Sequence, residues 1–257
     1  MSDSVASAAA RALDLLEQNR VEEAWHAVEA GWAELDAAGL PPSSVLHLST
    51  ARALVALARG EPALALETAA EGERRLGDSA DLHLVRGWAL ETSARREPPA
   101  TPQRDKLLDD AAQALRTCLT LEQLAPAEER VLGAGPWIVW TRLGMVQLAR
   151  SHACDALLSF RRALELCPGH LEARLGSAEA LLRLSDPKGA LATVHPVLGF
   201  APDAWALAAF AAAALGAADE TALFLGRAFN DRQPWVTDAW RERANALRAG
   251  VASALGQ

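Results

Sequence analysis

One stretch constrains this chain more than any other: Trp137 to His170, WIVWTRLGMVQLARSHACDALLSFRRALELCPGH. Trp140, Leu143 and Gly144 open it, Ala156, Phe160 and Ala163 follow, and Pro168 closes it. The surrounding chain is 51% hydrophobic but only 5% aromatic, and alanine is abundant. That balance favours closely packed helices over a sheet sandwich, and 257 residues suffice to bury a sizeable core.

The order Trp-x2-Leu-Gly, then Ala-x3-Phe, then Pro resembles the tetratricopeptide repeat, a helix–turn–helix unit of ~34 residues. One position departs from the motif: the tyrosine expected three residues after the glycine is Gln147, and the chain has no tyrosine at all. The resemblance implies an all-α, right-handed superhelical solenoid of about six such units with a C-terminal capping helix. It also implies a stacked-helix binding scaffold rather than an enzyme.

Register from Trp137 then predicts the other units. The next, 171–202, places Ala178, Ala190, Val197 and Pro202 at the small and closing positions. Its second helix begins with Asp186 as a cap and Pro187 in the first turn, while Pro196 should bend or shorten that helix. A unit over 203–233 carries Trp205 and Ala222, and the polar face of 234–255 suits a capping helix. Towards the N-terminus, 46–77 fits with Ala53, Gly60, Pro62, Ala65 and Ala69, and 5–38 fits with Ala12, an Asn19-Arg20 turn, Ala24 and Trp25. The unit 80–124 is interrupted: Ala111 stands where register puts residue 99, so about twelve residues are inserted, centred on Glu97–Gln103. A second irregular segment, 125–136, precedes the strongest unit. Either one solenoid covers 1–257, or two sub-domains hinge at 125–136.

A formal charge of −8 argues against nucleic acid and anionic membrane surfaces, both of which need a basic patch. Only Lys106 and Lys188 are lysines, an arginine bias in keeping with a GC-rich bacterial genome. The N-terminus lacks the basic and apolar regions of a secretory signal, no apolar run reaches ~18 residues, and three cysteines are too sparse for a disulfide framework. A cytoplasmic protein without membrane insertion is expected. The four residues His152, Cys154, Cys167 and His170 look like metal ligands in the linear sequence. Cys154 and Cys167 bracket one helix, however, which holds them ~20 Å apart, and zinc ligands must meet within ~2.3 Å of one ion. No metal, no cofactor and no catalytic residues are expected, since no hydrolase elbow, phosphate loop or dinucleotide fingerprint occurs.

In the family that the sequence resembles, positions 2, 5, 9, 12 and 13 of the first helix face a concave groove. Carried over, the ninth position gives Leu13, Leu54, Trp88, Met145 and Glu179; the twelfth gives Leu16, Leu57, Glu91 and Leu148; the fifth gives Ala9, Thr50, Leu84, Thr141 and Leu175. Charge enters at Arg142, Glu172, Glu179 and Arg183. A known carboxylate clamp of this fold requires lysine, asparagine and arginine where this chain has Thr141, Met145 and Gly176, so that clamp is absent. The expected ligand is a partner protein, offering an amphipathic helix or an extended apolar segment. Trp88 is the leading anchor, because tryptophan is enriched at interface hot spots. The readings that follow are a non-catalytic scaffold or adaptor, a dedicated chaperone for a secreted or assembling protein, or a regulatory subunit of an enzyme. Self-association through apolar grooves or end repeats is a further expectation.

Overall fold

The structure is a computed structural model that describes residues 2–35, 40–98, 100–124 and 135–228. These form α1 Ser2–Glu17, α2 Val21–Ala33, α3 Pro42–Ala58, α4 Pro62–Leu76, α5 Ala80–Ala94 and α6 Pro102–Leu124. They continue as α7 Pro136–Ala149, α8 Ala153–Leu166, α9 Leu171–Arg183, α10 Pro187–Val194, α11 Pro202–Ala214 and α12 Ala218–Ala228. Among the described residues there is no strand, so the all-α expectation holds. The expected capping helix at 234–255 lies outside the described residues, as does the 125–136 joint apart from its last two positions. The chain divides into two compact units, Met1–Val146 and Gln147–Gln257.

The helices pair because five of the turns between a first and a second helix are built alike. In each, the second residue after the first helix adopts a left-handed backbone: Asn19, Gly60, Ser151, Ser185 and Gly216 have φ of 58°, 77°, 63°, 61° and 74°. The amide of that residue bonds back three residues, as Ser185 does to Leu182 at 3.0 Å, and the next amide bonds back five, as Asp186 does to Leu181 at 2.9 Å. This is the Schellman closure, which satisfies carbonyls that a helix end otherwise leaves bare. The turn between α5 and α6 is the exception. There Arg96 and Glu97 bond back only three residues, Thr101 Oγ1 accepts from the Arg104 amide at 3.3 Å, and α6 starts at Pro102. Sequence register puts the insertion in the loop. Much of it instead lengthens α6, which is 23 residues long against 14 for α8.

Proline marks the entrances. It is the first residue of α3, α4, α6, α7, α10 and α11, where its fixed φ is already helical and its missing N–H is not needed. The cap on α10 is the expected one, Asp186 accepting from the Gly189 amide at 2.9 Å. Pro196 shortens that helix as expected: α10 stops at Val194 and a 3₁₀ turn, His195–Val197, follows.

Small residues then let the helices close. The N-terminal core joins Ala9, Ala12 and Leu15 of α1 to Ala24 and Val28 of α2 and Leu48, Ala51 and Val55 of α3. A Cβ on Gly176 of α9 would lie 2.3 Å from the ring of the fully buried Phe160 of α8, and one on Gly87 would lie 2.7 Å from Leu115. The residue that replaces the motif tyrosine, Gln147, is buried and accepts a 2.6 Å hydrogen bond from Ser159 across the α7–α8 pair. In the N-terminal unit, Arg52 sits between Trp32 and Trp25, with its guanidinium carbon 4.4 Å and 5.5 Å from the two rings, and bonds Glu29 and Thr68.

Two outcomes follow from these contacts. Ser185→Gly should raise stability by roughly 0.5–1 kcal/mol, because the left-handed conformation penalises a Cβ by more than glycine loses in chain entropy. Gly176→Ala should lower it by about 1–3 kcal/mol through overpacking against Phe160. Urea titrations of the two variants check both signs.

Candidate functional site

The first helices of the N-terminal unit carry a regular exposure pattern. At the fifth repeat position Ala9, Thr50, Leu84 and Thr141 are all buried, none more than 4% exposed. At the ninth, Leu13, Leu54, Trp88 and Met145 are all half-buried. The fifth position therefore belongs to the packing between neighbouring helices, and the ninth to a face turned towards solvent. Leu84 and Thr141, both expected to line the groove, are core residues, and Thr141 Oγ1 bonds the Trp137 carbonyl of its own helix at 2.8 Å. Leu148, the twelfth position of α7, is also buried.

α1 packs on α3, and α3 on α5, which aligns the ninth positions along one face. Leu13 and Leu16 rest on the core shared with α3. Leu54 and Leu57 rest on Ala53, Ala56, Ala65, Val85 and Ala89. The shelf is thus apolar and backed by alanine, so its side chains stand on a closely packed floor.

Charge is concentrated beside Trp88. The Arg142 guanidinium lies over the indole, 4.1 Å from its centroid, and 3.7 Å from a carboxylate oxygen of Glu91. The other oxygen of Glu91 accepts from Arg95 one turn on. Glu91 is 2% exposed, so this carboxylate is held in the protein by two arginines. Residues 88, 91 and 95 share one stripe of α5 by helical spacing. The centre of the face is therefore a tryptophan flanked by a paired charge cluster, where sequence register predicts a simpler apolar groove. The Glu91–Arg95 spacing is visible in the sequence, but the Glu91–Arg142 pairing is not.

In the C-terminal unit the ninth position of α9 is Glu179, which pairs with Arg183 at 2.6 Å. Arg183 also donates to the Leu148 carbonyl at 2.6 Å. These two predicted groove residues thus tie up each other and the end of α7. The suspected metal ligands do not converge: Cys154 is in the first turn of α8 and Cys167 follows its last residue. Among the described residues no three His, Cys, Asp or Glu side chains gather to hold a metal, and no helix is long and apolar enough to cross a membrane.

Solved structures share this fold. PilF of Pseudomonas aeruginosa superposes with a TM-score of 0.65 at 19% identity, over 95% of this chain and 97% of its own. PilW, a widely conserved type IV pilus biogenesis factor, gives 0.69 at 15% identity over 93% and 97%. TTC0263, a thermophilic TPR protein of Thermus thermophilus, gives 0.61 at 20% identity over 81% and 97%. The fold is that of the tetratricopeptide repeat. No family model and no curated protein matches the sequence. Within the TPR fold, the half-buried ninth positions of this chain are its candidate binding residues.

Glu91→Gln tests the charge cluster. It keeps a hydrogen-bond acceptor for Arg95 but removes the charge that offsets Arg142, and should cost about 2 kcal/mol. A thermal melt unchanged within error would show that the cluster contributes no net stability.

Proposed function

We propose that this chain is a non-catalytic scaffold or adaptor that binds a segment of a partner protein on the first-helix face of its N-terminal unit. The observation that carries the reading is the recurrence of Leu13, Leu54, Trp88 and Met145, half-buried at one repeat position on α1, α3, α5 and α7. Residues that served only the core would be buried there, as the fifth-position residues are. Leu57 widens the shelf, and Arg142 restricts access to one face of Trp88. An amphipathic helix or an extended apolar segment fits such a surface, since both present apolar side chains at regular intervals.

A second reading, a dedicated chaperone for a protein that is exported or assembled, has the likeness to PilW in its favour, PilW being a type IV pilus biogenesis factor. It uses the same face and differs in the identity of the bound segment. Residence in the cytoplasm belongs to the first reading, and three sparse cysteines suit a reducing compartment.

Affinity capture from the source organism, with quantitative mass spectrometry, tests the shared claim. Leu54→Asp and Trp88→Asp should each lower the yield of a stoichiometric partner at least tenfold, while circular dichroism shows unchanged helicity. Equal recovery with folded variants would exclude this face as the binding surface.

A further inference from the structure

The large apolar side chains that remain exposed are unevenly distributed. Among the described residues all seven of them, from Leu158 to Leu223, fall in the C-terminal unit. The left-handed turn residues give a common register for placing them. Seven residues beyond Ser151, Ser185 and Gly216 stand Leu158, Ala192 and Leu223; seven beyond Asn19 and Gly60 stand His26 and Glu67. Fifteen residues beyond Ser151 and Ser185 stand Leu166 and Phe200; fifteen beyond Asn19 and Gly60 stand Glu34 and Arg75. These positions are thus polar after Asn19 and Gly60 and apolar after Ser151 and Ser185; after Gly216 the first is Leu223, and the second, Asp231, lies outside the described residues.

These residues are well exposed: Leu158 is 64%, Leu223 56% and Phe200 78% accessible. They lie on α8, on α12 and just beyond α10. Those three are second helices, held in order by α9 and α11, which pack against each other and against the second helices beside them. The stripe is therefore on the layer opposite the first helices of its own unit, and it shares no residue with the face proposed for partner binding.

We infer that the second-helix face of the C-terminal unit joins two copies of this chain. Its charges select that occupant. Interleaved with the apolar side chains on α8, α10 and α12 are Arg161, Arg162, Lys188 and Arg227 against Asp155, Glu165, Asp219 and Glu220, so the face is neutral within a chain of −8. A basic or acidic partner finds no field there, and an anionic membrane finds no basic patch. A face with equal numbers of both signs can instead be complementary to itself, since a two-fold axis sets residue i against j and j against i. The size also suits a dimer. The helices α8, α10 and α12 have 14, 8 and 11 residues; at ~1.5 Å per residue and ~10 Å width they offer roughly 500 Å² per copy, the size of a weak, concentration-dependent interface.

Sedimentation velocity of the full chain between micromolar and hundred-micromolar concentrations tests this. The wild-type chain should sediment as a dimer in the upper part of the range. Phe200→Glu and Leu158→Glu should weaken dimerisation at least tenfold, with helicity and partner capture intact, because both side chains are exposed and unneeded for folding. A wild-type chain that stays monomeric throughout overturns the inference. So does a dimer that neither substitution affects, since the contact would then lie elsewhere. Neither result touches the first-helix reading, which rests on capture through Leu54 and Trp88.

Discussion

Everything in this fold depends on one backbone event repeated along the chain: a single residue in the left-handed region that ends a first helix and points the next one back along it. Because Asn19, Gly60, Ser151, Ser185 and Gly216 all take it, with the same pair of closing hydrogen bonds, each second helix leaves its turn at the same phase. Helical phase decides which side chains point at a neighbour. The turn thus settles, several residues away, that Ala65, Ala156 and Ala190 are buried and that Glu67 and Leu158 are not. Where the turn is lost, between α5 and α6, the chain reaches α6 through a proline entrance and a threonine cap instead, and Arg96 bonds the carbonyl of Gly60 to secure the connection. Glycine holds the turn at two of the five sites; asparagine and serine hold it at the others, against their own preference in the case of serine.

That dependence explains what can be read in the sequence. Small residues, glycines and prolines mark helix contacts and helix ends directly, so the Asp186 cap and the break at Pro196 are legible. Ser151 and Ser185 are not legible as left-handed residues, because nothing local distinguishes them from any turn serine. The groove is only half legible. Carrying over family positions treats the fifth and ninth residues alike, yet the fifth faces the adjacent first helix and the ninth faces solvent. Sequence register misplaces Leu84 and Thr141 for that reason. It misjudges Glu91 for another: a carboxylate can be buried beside Trp88 only because Arg142, 51 positions away, comes to lie against it, and no local pattern reports that.

The alanine-rich core has a further consequence. Small side chains bring helices close but bury little apolar area each, so stability rests on the number of contacts and on how tightly they fit. This is why Gly176 meets Phe160 without room for a methyl group, and why Gln147 can replace a tyrosine once Ser159 supplies its hydrogen bond. It also leaves the large apolar side chains for other uses. Trp25 and Trp32 cover Arg52 on one side of the N-terminal unit, and Leu13, Leu54 and Trp88 form a shelf on another. The C-terminal unit keeps Leu158, Phe200 and Leu223 exposed.

The two units therefore solve the same packing problem and present different surfaces. In the N-terminal unit the second-helix positions His26 and Glu67 are polar, and Leu13, Leu54 and Trp88 line the first helices beside the Glu91 charge cluster. In the C-terminal unit the ninth position of α9 is a glutamate paired with its own arginine, and the most exposed apolar residues, Leu158, Phe200 and Leu223, are on or just beyond the second helices. A scaffold whose repeats were interchangeable would distribute both patterns along its whole length. Segregation of the two patterns means that a substitution on one surface leaves the other's contacts untouched, because no side chain is shared between them. The surfaces proposed for partner binding and for self-association can then vary independently within one repeat architecture, provided that the left-handed turns keep their helices in phase.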